Sequence, residues 1–522
     1  MNERDSTFNR WHGLAIFLIA IATRSLYFFQ FQDNPLFNYI PEHTDSQHYD
    51  TGALSFANGD WMATATVNIF SPLYKYLVGF IYLTFGRNLP VVWFFQFLMG
   101  AITVLLIFLI CEKLFNQRTA WISALLYNFH GPVLMYEGIL LRASLIAFLG
   151  ILSLYLLIRL PSKPDWKQLM FAGLGISLFI QSRPNTALVF VLIFLYWFFV
   201  AKRKECNVHP PLFLWVGLFF LPLLIQAGIT HGKFVFFEFS GPASILHGNH
   251  PEHIGMGHSA ELHHPDGYKL STTETLKIFA MRFIEHPQAM AFLFARKLYF
   301  FFCSFQVPNN FDYNLFKDFS FLLHGPLSNF GLLSSLGLVG FVLAFREHQK
   351  LWLLYCYAIG MTGAVILFFV LARYRIPVIP YFAIFSGVAV DRILHSIDAR
   401  QTRQWVISTA SAIALFAFFN YQALIPDFKL TGHKSYDQRI GEYYVRAGRL
   451  AEGHARITIF LNQFPNDAGA SKVLGMIYQQ TNQWENALRE FERADRLAPN
   501  DPWTQMQLKL MREKYNANNS MN

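Results

Sequence analysis

Apolar runs of about 20 residues recur along this chain, separated by short clusters of Lys and Arg, and no other feature constrains its fold as much. A helix rises about 1.5 Å per residue, so a run of this length matches the roughly 30 Å hydrocarbon core of a bilayer. Candidate spans lie at about 12–31, 90–111, 119–135, 140–160, 168–182, 185–201, 211–229, 326–345, 351–371, 378–394 and 405–424. Lipid leaves no backbone group unpaired, which selects helices. The expected fold class is therefore all-α: a polytopic transmembrane helix bundle of about 11 spans. Only 14% of residues are charged, against about a quarter in soluble domains.

The formal charge of +9 sits at the ends of apolar runs. It forms no stripe interleaved with aromatics, so no nucleic acid partner is expected. Cys111, Cys206, Cys303 and Cys356 are too scattered for a metal spacing or a disulfide framework. The first apolar run begins near Trp11 without a small-residue cleavage site, so an uncleaved span is expected.

With the N-terminus in the cytoplasm, Lys113/Arg118, Arg159/Lys163/Lys167, Lys202/Arg203/Lys204, Arg346/Lys350 and Arg392/Arg400/Arg403 all fall inside, as the positive-inside rule requires. Two long loops, about 32–89 and 230–325, and the C-terminal tail then fall outside. Leu73–Phe85 and Gln288–Phe305 are too short or too charged to span; the second has Arg296 and Lys297 at its centre, which is expensive at mid-bilayer. Both are expected as interfacial loop helices among membrane lipids. The expected location is the cytoplasmic (inner) membrane, multi-pass, with the tail on the periplasmic side. A crossing by Gln288–Phe305 would reverse the tail's side.

After Leu424 no apolar run returns, and a 34-residue period appears. Gly441 and Gly475, Tyr444 and Tyr478, and Pro465 and Pro499 are each 34 apart. Leu474-Gly475, Tyr478, Ala487, Phe491, Ala494 and Pro499 occupy the small, aromatic and stop positions of a tetratricopeptide helix pair. The earlier unit, 434–467, has Gly453 and Ile457 where Ala and Phe are usual. The expected domains are a membrane domain over 1–425 and a small α-solenoid of tetratricopeptide repeats over 434–522, capped by 502–517. Two repeats are few, so docking on the membrane domain or on a protein partner is expected.

The densest polar cluster beside a membrane run is Glu42-His43-Thr44-Asp45-Ser46-Gln47-His48-Tyr49-Asp50. As a helix over 45–57, it places Asp45, Tyr49 and Gly52 along one face. Such a carboxylate can accept a proton from a substrate hydroxyl; equally, Asp45 can serve as a helix N-cap. Arg373 and Arg375 flank Tyr374 in a short outer loop, and the planar guanidinium fork suits phosphate. The alternative is snorkelling to lipid headgroups. Arg183, Arg24, Lys75 and Lys297 are further cations on that side, whereas Arg142 is read as the ion-pair partner of Glu137. Six histidines fall within 18 residues: His247, His250, His253, His258, His263 and His264. A structural or acceptor-contacting role is expected, because no zinc spacing is present; a divalent metal is the alternative.

The order of these motifs resembles the polytopic glycosyltransferases of the C-type fold, above all family 39, the protein O-mannosyltransferases and the bacterial aminoarabinose transferases of lipid A. The resemblance runs from Arg24 through Asp45, Tyr49, Gly59-Asp60-Trp61, Ser71 to Tyr74 and Phe85-Gly86. It continues through Arg183-Pro184-Asn185, Gly248-Asn249-His250-Pro251, His286-Pro287, Lys297, Pro308-Asn309-Asn310 and Ala372 to Pro377. It implies transfer of a sugar, with inversion, from a polyprenyl-phosphate donor to a hydroxyl of a lipid, glycan or protein acceptor at the outer face. The family's loop acid falls on Asp45, as general base. Many members follow it with Glu, where this chain has Ser46, so His48, Asp50 or Glu137 would have to supply a second group.

The rival class is a transporter or flippase of a lipid-linked glycan, with the repeats as a scaffold. Such a protein needs ionisable groups near the bilayer midplane in broken helices. This chain keeps nearly all of its own near the ends of its runs.

Overall fold

A computed structural model describes residues 10–62, 72–199, 210–231, 240–257, 270–421 and 439–519. Ser71, Lys202, Arg203, Lys204, Cys206, His258, His263, His264 and 434–438 of the first expected repeat lie outside the described residues. The chain divides into two compact units: Met1–Phe29 with Thr44–Tyr313 and Ser320–Tyr421, and Gln30–His43 with Asn314–Phe319 and Gln422–Asn522.

Four helical runs of the first unit are long and apolar enough to cross a membrane: Arg10–Phe31, Leu89–Leu114, Phe330–Ile366 and Ala372–Asp398. Leu73–Phe85, Ala143–Arg159, Pro184–Phe199 and Pro211–Gln226 are shorter apolar helices. The chain is a multi-pass membrane protein. Among the described residues, the extended structure is a single bridge between Met256 and Val370.

In chain order the unit opens with α1 (Arg10–Phe31), α2 (Asp45–Ala57), α3 (Leu73–Phe85) and α4 (Leu89–Leu114), then α5 (Gln117–Asn128), α6 (Gly131–Glu137) and α7 (Ala143–Arg159). It continues with α8 (Trp166–Ser182), α9 (Ala187–Phe199), α10 (Pro211–His231), α11 (Ser240–Gly248), α12 (Thr272–Glu285) and α13 (Pro287–Phe302); α14 (Tyr313–Lys317) follows in the chain and belongs from Asn314 onward to the second unit. The last helices are α15 (Phe330–Ala344), α16 (His348–Ile366), α17 (Ala372–Arg375), α18 (Ile379–Asp398) and α19 (Thr402–Phe419). Side-chain caps start several of them: Asn88 accepts from Val91 N, Asn116 from Thr119 N and Asn329 from Leu332 N.

The sequence reading needs correction at one place. The expected span 119–135 is α5 and α6, broken at Phe129–His130. Pro132 has no N–H to give, and its ring would clash with the carbonyl four residues back, so α6 starts anew with Pro132 in its first turn. The run Phe330–Ile366 is a hairpin, as two expected spans require. The Tyr355 hydroxyl donates to the Phe341 carbonyl at 2.7 Å, whereas a straight helix would hold residues 14 apart about 21 Å from each other.

Helix α18 is the hub. Gly337 and Gly340 of α15 lie against the Phe382 and Phe385 backbone, and Gly387 meets Ser123 of α5. At 20 residues, α18 is about 30 Å long. Arg375 precedes its N-terminus. At the other end Arg118 pairs with Asp391 and Asp398, Arg392 with Glu347, and Lys350 donates to the Leu114 carbonyl. Basic groups assigned to one side of the bilayer thus meet at one end of the bundle.

In the second unit, a helix at 439–446 is followed by Leu450–Gln463, Ala468–Gln480, Trp484–Leu497 and Pro502–Asn519. Gly441 lies against Ile457 and Gly475 against Phe491. The same small-against-large contact therefore recurs at the 34-residue period. The unit also contains two short segments from earlier in the chain: Arg446 pairs with Glu42, Arg456 with Asp318, and Arg449 donates to the Asp33 carbonyl.

Candidate active site at the Asp45 carboxylate

Thr44 is the N-cap of α2, accepting from Gln47 N. Asp45 is the first helical residue instead of the cap, which leaves its carboxylate for other partners. Arg373 is one of them: its guanidinium is hydrogen-bonded and ion-paired to Asp45. The backbone before Arg373 is held by Gly257 N donating to the Val370 carbonyl and by Ala372 N donating to the Val307 carbonyl. Burial pushes the Asp45 carboxyl up, but the charge and hydrogen bond of Arg373 outweigh it. With Arg142 nearby and a hydrogen bond from Asn310, they hold it below the usual carboxylate range.

Two cations lie against the Tyr374 ring. The Arg183 guanidinium is 3.8 Å from its ring centre and that of Arg373 is 5.0 Å away, a stacking that suits a planar cation. Asp45, Tyr49, Arg142, Arg183, Arg373 and Tyr374 line one small pocket. Arg142, Arg183 and Tyr374 also border a cavity of about 350 Å³. Its other walls are mainly apolar, including Leu188, Val191, Ile245, Leu276, Leu367 and Phe369. Three guanidiniums against one carboxylate (3 − 1) leave an excess of two positive charges where an apolar cavity meets a polar pocket. That combination accommodates an anion attached to a hydrocarbon chain.

The other expected site residues are placed differently. Tyr49 is buried on the Asp45 face of α2, edge-on to Tyr74 at 4.9 Å. His48 is exposed. Asp50 is not available as a second acid, because it accepts from the Tyr82 hydroxyl at 2.7 Å and pairs with Arg87 at 2.9 Å.

Glu137 pairs with Arg24 at 2.9 Å, and both are almost fully buried. This corrects two expectations: Arg24 is not a free cation for phosphate, and Arg142 does not pair with Glu137 but lines the Asp45 pocket. Glu137 and Arg142 are five positions apart, a spacing that would not have aligned them on a helix; that was a signal against the pair.

Arg375 is corrected too. Its donors go to the Cys303 carbonyl at 2.7 Å, the Phe305 carbonyl at 2.6 Å and the Gln306 side chain at 2.9 Å. It fastens the segment after α13 instead of presenting a fork to phosphate. Lys75 is buried against Gly52.

Lys297 is fully buried and donates to Asn249 Oδ1 at 2.7 Å. Burial pushes its ammonium down to about 7. Asn249 in turn donates to the Ile245 and Leu367 carbonyls, so Lys297 fixes α11 rather than entering the pocket. His247 and His253 are buried with ring centres 5.1 Å apart. Among the described residues, no group of three His, Cys, Asp or Glu is placed to hold a metal.

Residues 70–227 match the family described as dolichyl-phosphate-mannose-protein mannosyltransferase. No curated protein matches. The fold is similar to ArnT from Cupriavidus metallidurans bound to undecaprenyl phosphate, at 15% identity and a TM-score of 0.45, over 94% of this chain and 78% of that one. The apo state of the same protein gives 13% identity and a TM-score of 0.47, over 96% and 76%. The archaeal oligosaccharyltransferase AglB from Archaeoglobus fulgidus, in complex with an inhibitory peptide and a dolichol-phosphate, is 16% identical with a TM-score of 0.44. That match covers 80% of this chain, which spans 56% of the archaeal protein's length.

Proposed function

We propose that this protein is a membrane glycosyltransferase. It moves a sugar from a polyprenyl-phosphate donor to an acceptor hydroxyl at the outer face of the cytoplasmic membrane, with inversion. The observation that carries the reading is the junction of the Asp45 pocket and the apolar cavity, which share Arg142, Arg183 and Tyr374. The match of residues 70–227 to the mannosyltransferase family supports it.

In this reading the lipid chain occupies the apolar cavity and the phosphate lies against Arg142, Arg183 and Arg373. Asp45 takes the acceptor's proton as the acceptor oxygen bonds to the anomeric carbon. The bond from that carbon to the phosphate oxygen breaks, and its electron pair leaves with the phosphate. The guanidiniums stabilise the charge that develops there. A carboxylate held ionised is a weak base, so its proton transfer belongs to the same step as the departure of the phosphate. Arg375 and Lys297, first read as phosphate ligands, become positioning residues. We read the 34-residue helix pairs as tetratricopeptide repeats that bind the acceptor or a partner protein on the periplasmic side.

The test is Asp45→Asn in the full-length protein, supplied with a polyprenyl-phosphate sugar labelled in the sugar. Transfer to endogenous acceptor should fall by about 10²–10⁴-fold, while undecaprenyl phosphate still binds. Transfer at the wild-type rate would remove Asp45 as the base.

A further inference from the structure

Gln96 is an amide within the apolar stretch that opens α4, and is 1% exposed. A polar side chain in such a helix must find its partners inside the protein. Its Nε2 donates to the carbonyls of Glu137 at 2.8 Å and Ile139 at 3.0 Å. Its Oε1 accepts from the hydroxyls of Tyr74 at 2.7 Å and Ser144 at 3.4 Å. Reversing the amide would set Oε1 against two carbonyl oxygens, so the network fixes its orientation.

These partners do not line the Asp45 pocket themselves but adjoin residues that do, on two of its sides. The two carbonyls start the turn that ends on Arg142, and Ser144 lies just beyond it in the first turn of α7. The Tyr74 ring stands against Tyr49, which lines the pocket one helical turn after Asp45.

We infer that Gln96 is a positioning residue that fixes Arg142 relative to Asp45, so that Arg142 meets the phosphate of the lipid donor. The inference rests on the donor reading above. Gln96 touches neither group; it acts through the backbone of the 138–142 turn and through the Tyr74–Tyr49 contact.

The experiment measures undecaprenyl phosphate binding to the full-length, detergent-solubilised protein. Gln96→Leu should weaken binding about tenfold, since small misplacements of a positioned group are costly. Gln96→Glu, of nearly the same size, should also weaken it, because a carboxyl has at most one O–H to donate where the amide serves two carbonyls. Arg142→Ala should weaken binding as well, and Gln96→Leu should add little in that background, as two changes acting through one group are not additive.

Wild-type binding in both Gln96 variants overturns the inference, as does an undiminished tenfold effect of Gln96→Leu in the Arg142→Ala background. With Arg142→Ala still weakened, either result leaves the donor reading standing. If the wild-type protein does not bind undecaprenyl phosphate, the donor reading fails and the inference fails with it.

Discussion

Asp45 and Arg373 form an ion pair across 328 positions of sequence. The pair ties the first residue of α2 to the short helix that leads into the central α18. Its carboxylate is partly open, 23% exposed, whereas the guanidinium is 14% exposed. Both residues line the same pocket, the carboxylate somewhat more open than the guanidinium.

Acid should dissolve this pair with a definite sign. The Asp45 carboxyl is held below its ordinary value in the folded protein. The unfolded chain therefore binds the proton first as pH falls. The stabilisation is complete above the unfolded value of about 4 and is lost as pH falls through the lowered folded value. The difference in thermal midpoint between wild type and Asp45→Asn should be flat above about pH 5 and shrink below it. A difference that grows toward acid would contradict the coupling to Arg373.

Arg183 stacks on Tyr374 and borders both the pocket and the cavity. Arg183→Ala should weaken undecaprenyl phosphate binding about 10- to 100-fold, the worth of one charge-assisted hydrogen bond. Arg183→Lys should recover only part of it, because the ammonium keeps the charge but loses the planar stacking and the fork. Equal affinities for wild type and Arg183→Ala would exclude Arg183 from the phosphate site.

Much of the fold was legible because a bilayer imposes a length on every crossing helix. The apolar runs and their basic ends carry that information locally. The break at His130 was hidden, since Pro132 sits inside an apolar run and can either kink a helix or start one. The site divides the same way. Asp45 and Arg373 were legible as polar groups beside apolar runs. Arg24, Arg142 and Arg375 look alike in sequence, and only packing decides that Arg24 meets Glu137, Arg375 meets carbonyls, and Arg142 lines the pocket.

The Arg24–Glu137 pair is a second, structural use of charge. Both side chains are at most 2% exposed. Arg24 also donates to Asn128 Oδ1 at 2.8 Å, and Gly100 leaves room for the carboxylate. Arg24→Leu strands a buried carboxylate and should cost about 3–5 kcal/mol. The double variant Arg24→Leu/Glu137→Leu removes both charges and should be less destabilised than Arg24→Leu alone. Thermal midpoints in detergent decide it; a double variant at least as unstable as the single one would argue against a stranded charge.

The contact between α15 and α18 offers a test of the packing that carries the site. A Cβ added at Gly340 would lie 1.8 Å from the Phe385 carbonyl oxygen and 3.1 Å from Ala389 N. Those are backbone atoms of α18, which cannot rotate away as a side chain would. Gly340→Ala must therefore push the two helices apart, and overpacking of this kind costs about 1–3 kcal/mol. Gly217 in α10 is the control, because an added Cβ there meets nothing within 4 Å. Gly217→Ala should be neutral or stabilising by roughly 0.5–1 kcal/mol, since Ala loses less backbone entropy in a helix. The shift of α18 would carry Arg373 with it, so Gly340→Ala should also weaken undecaprenyl phosphate binding, whereas Gly217→Ala should not. Equal thermal midpoints for the two variants would mean that α15 and α18 do not pack this closely.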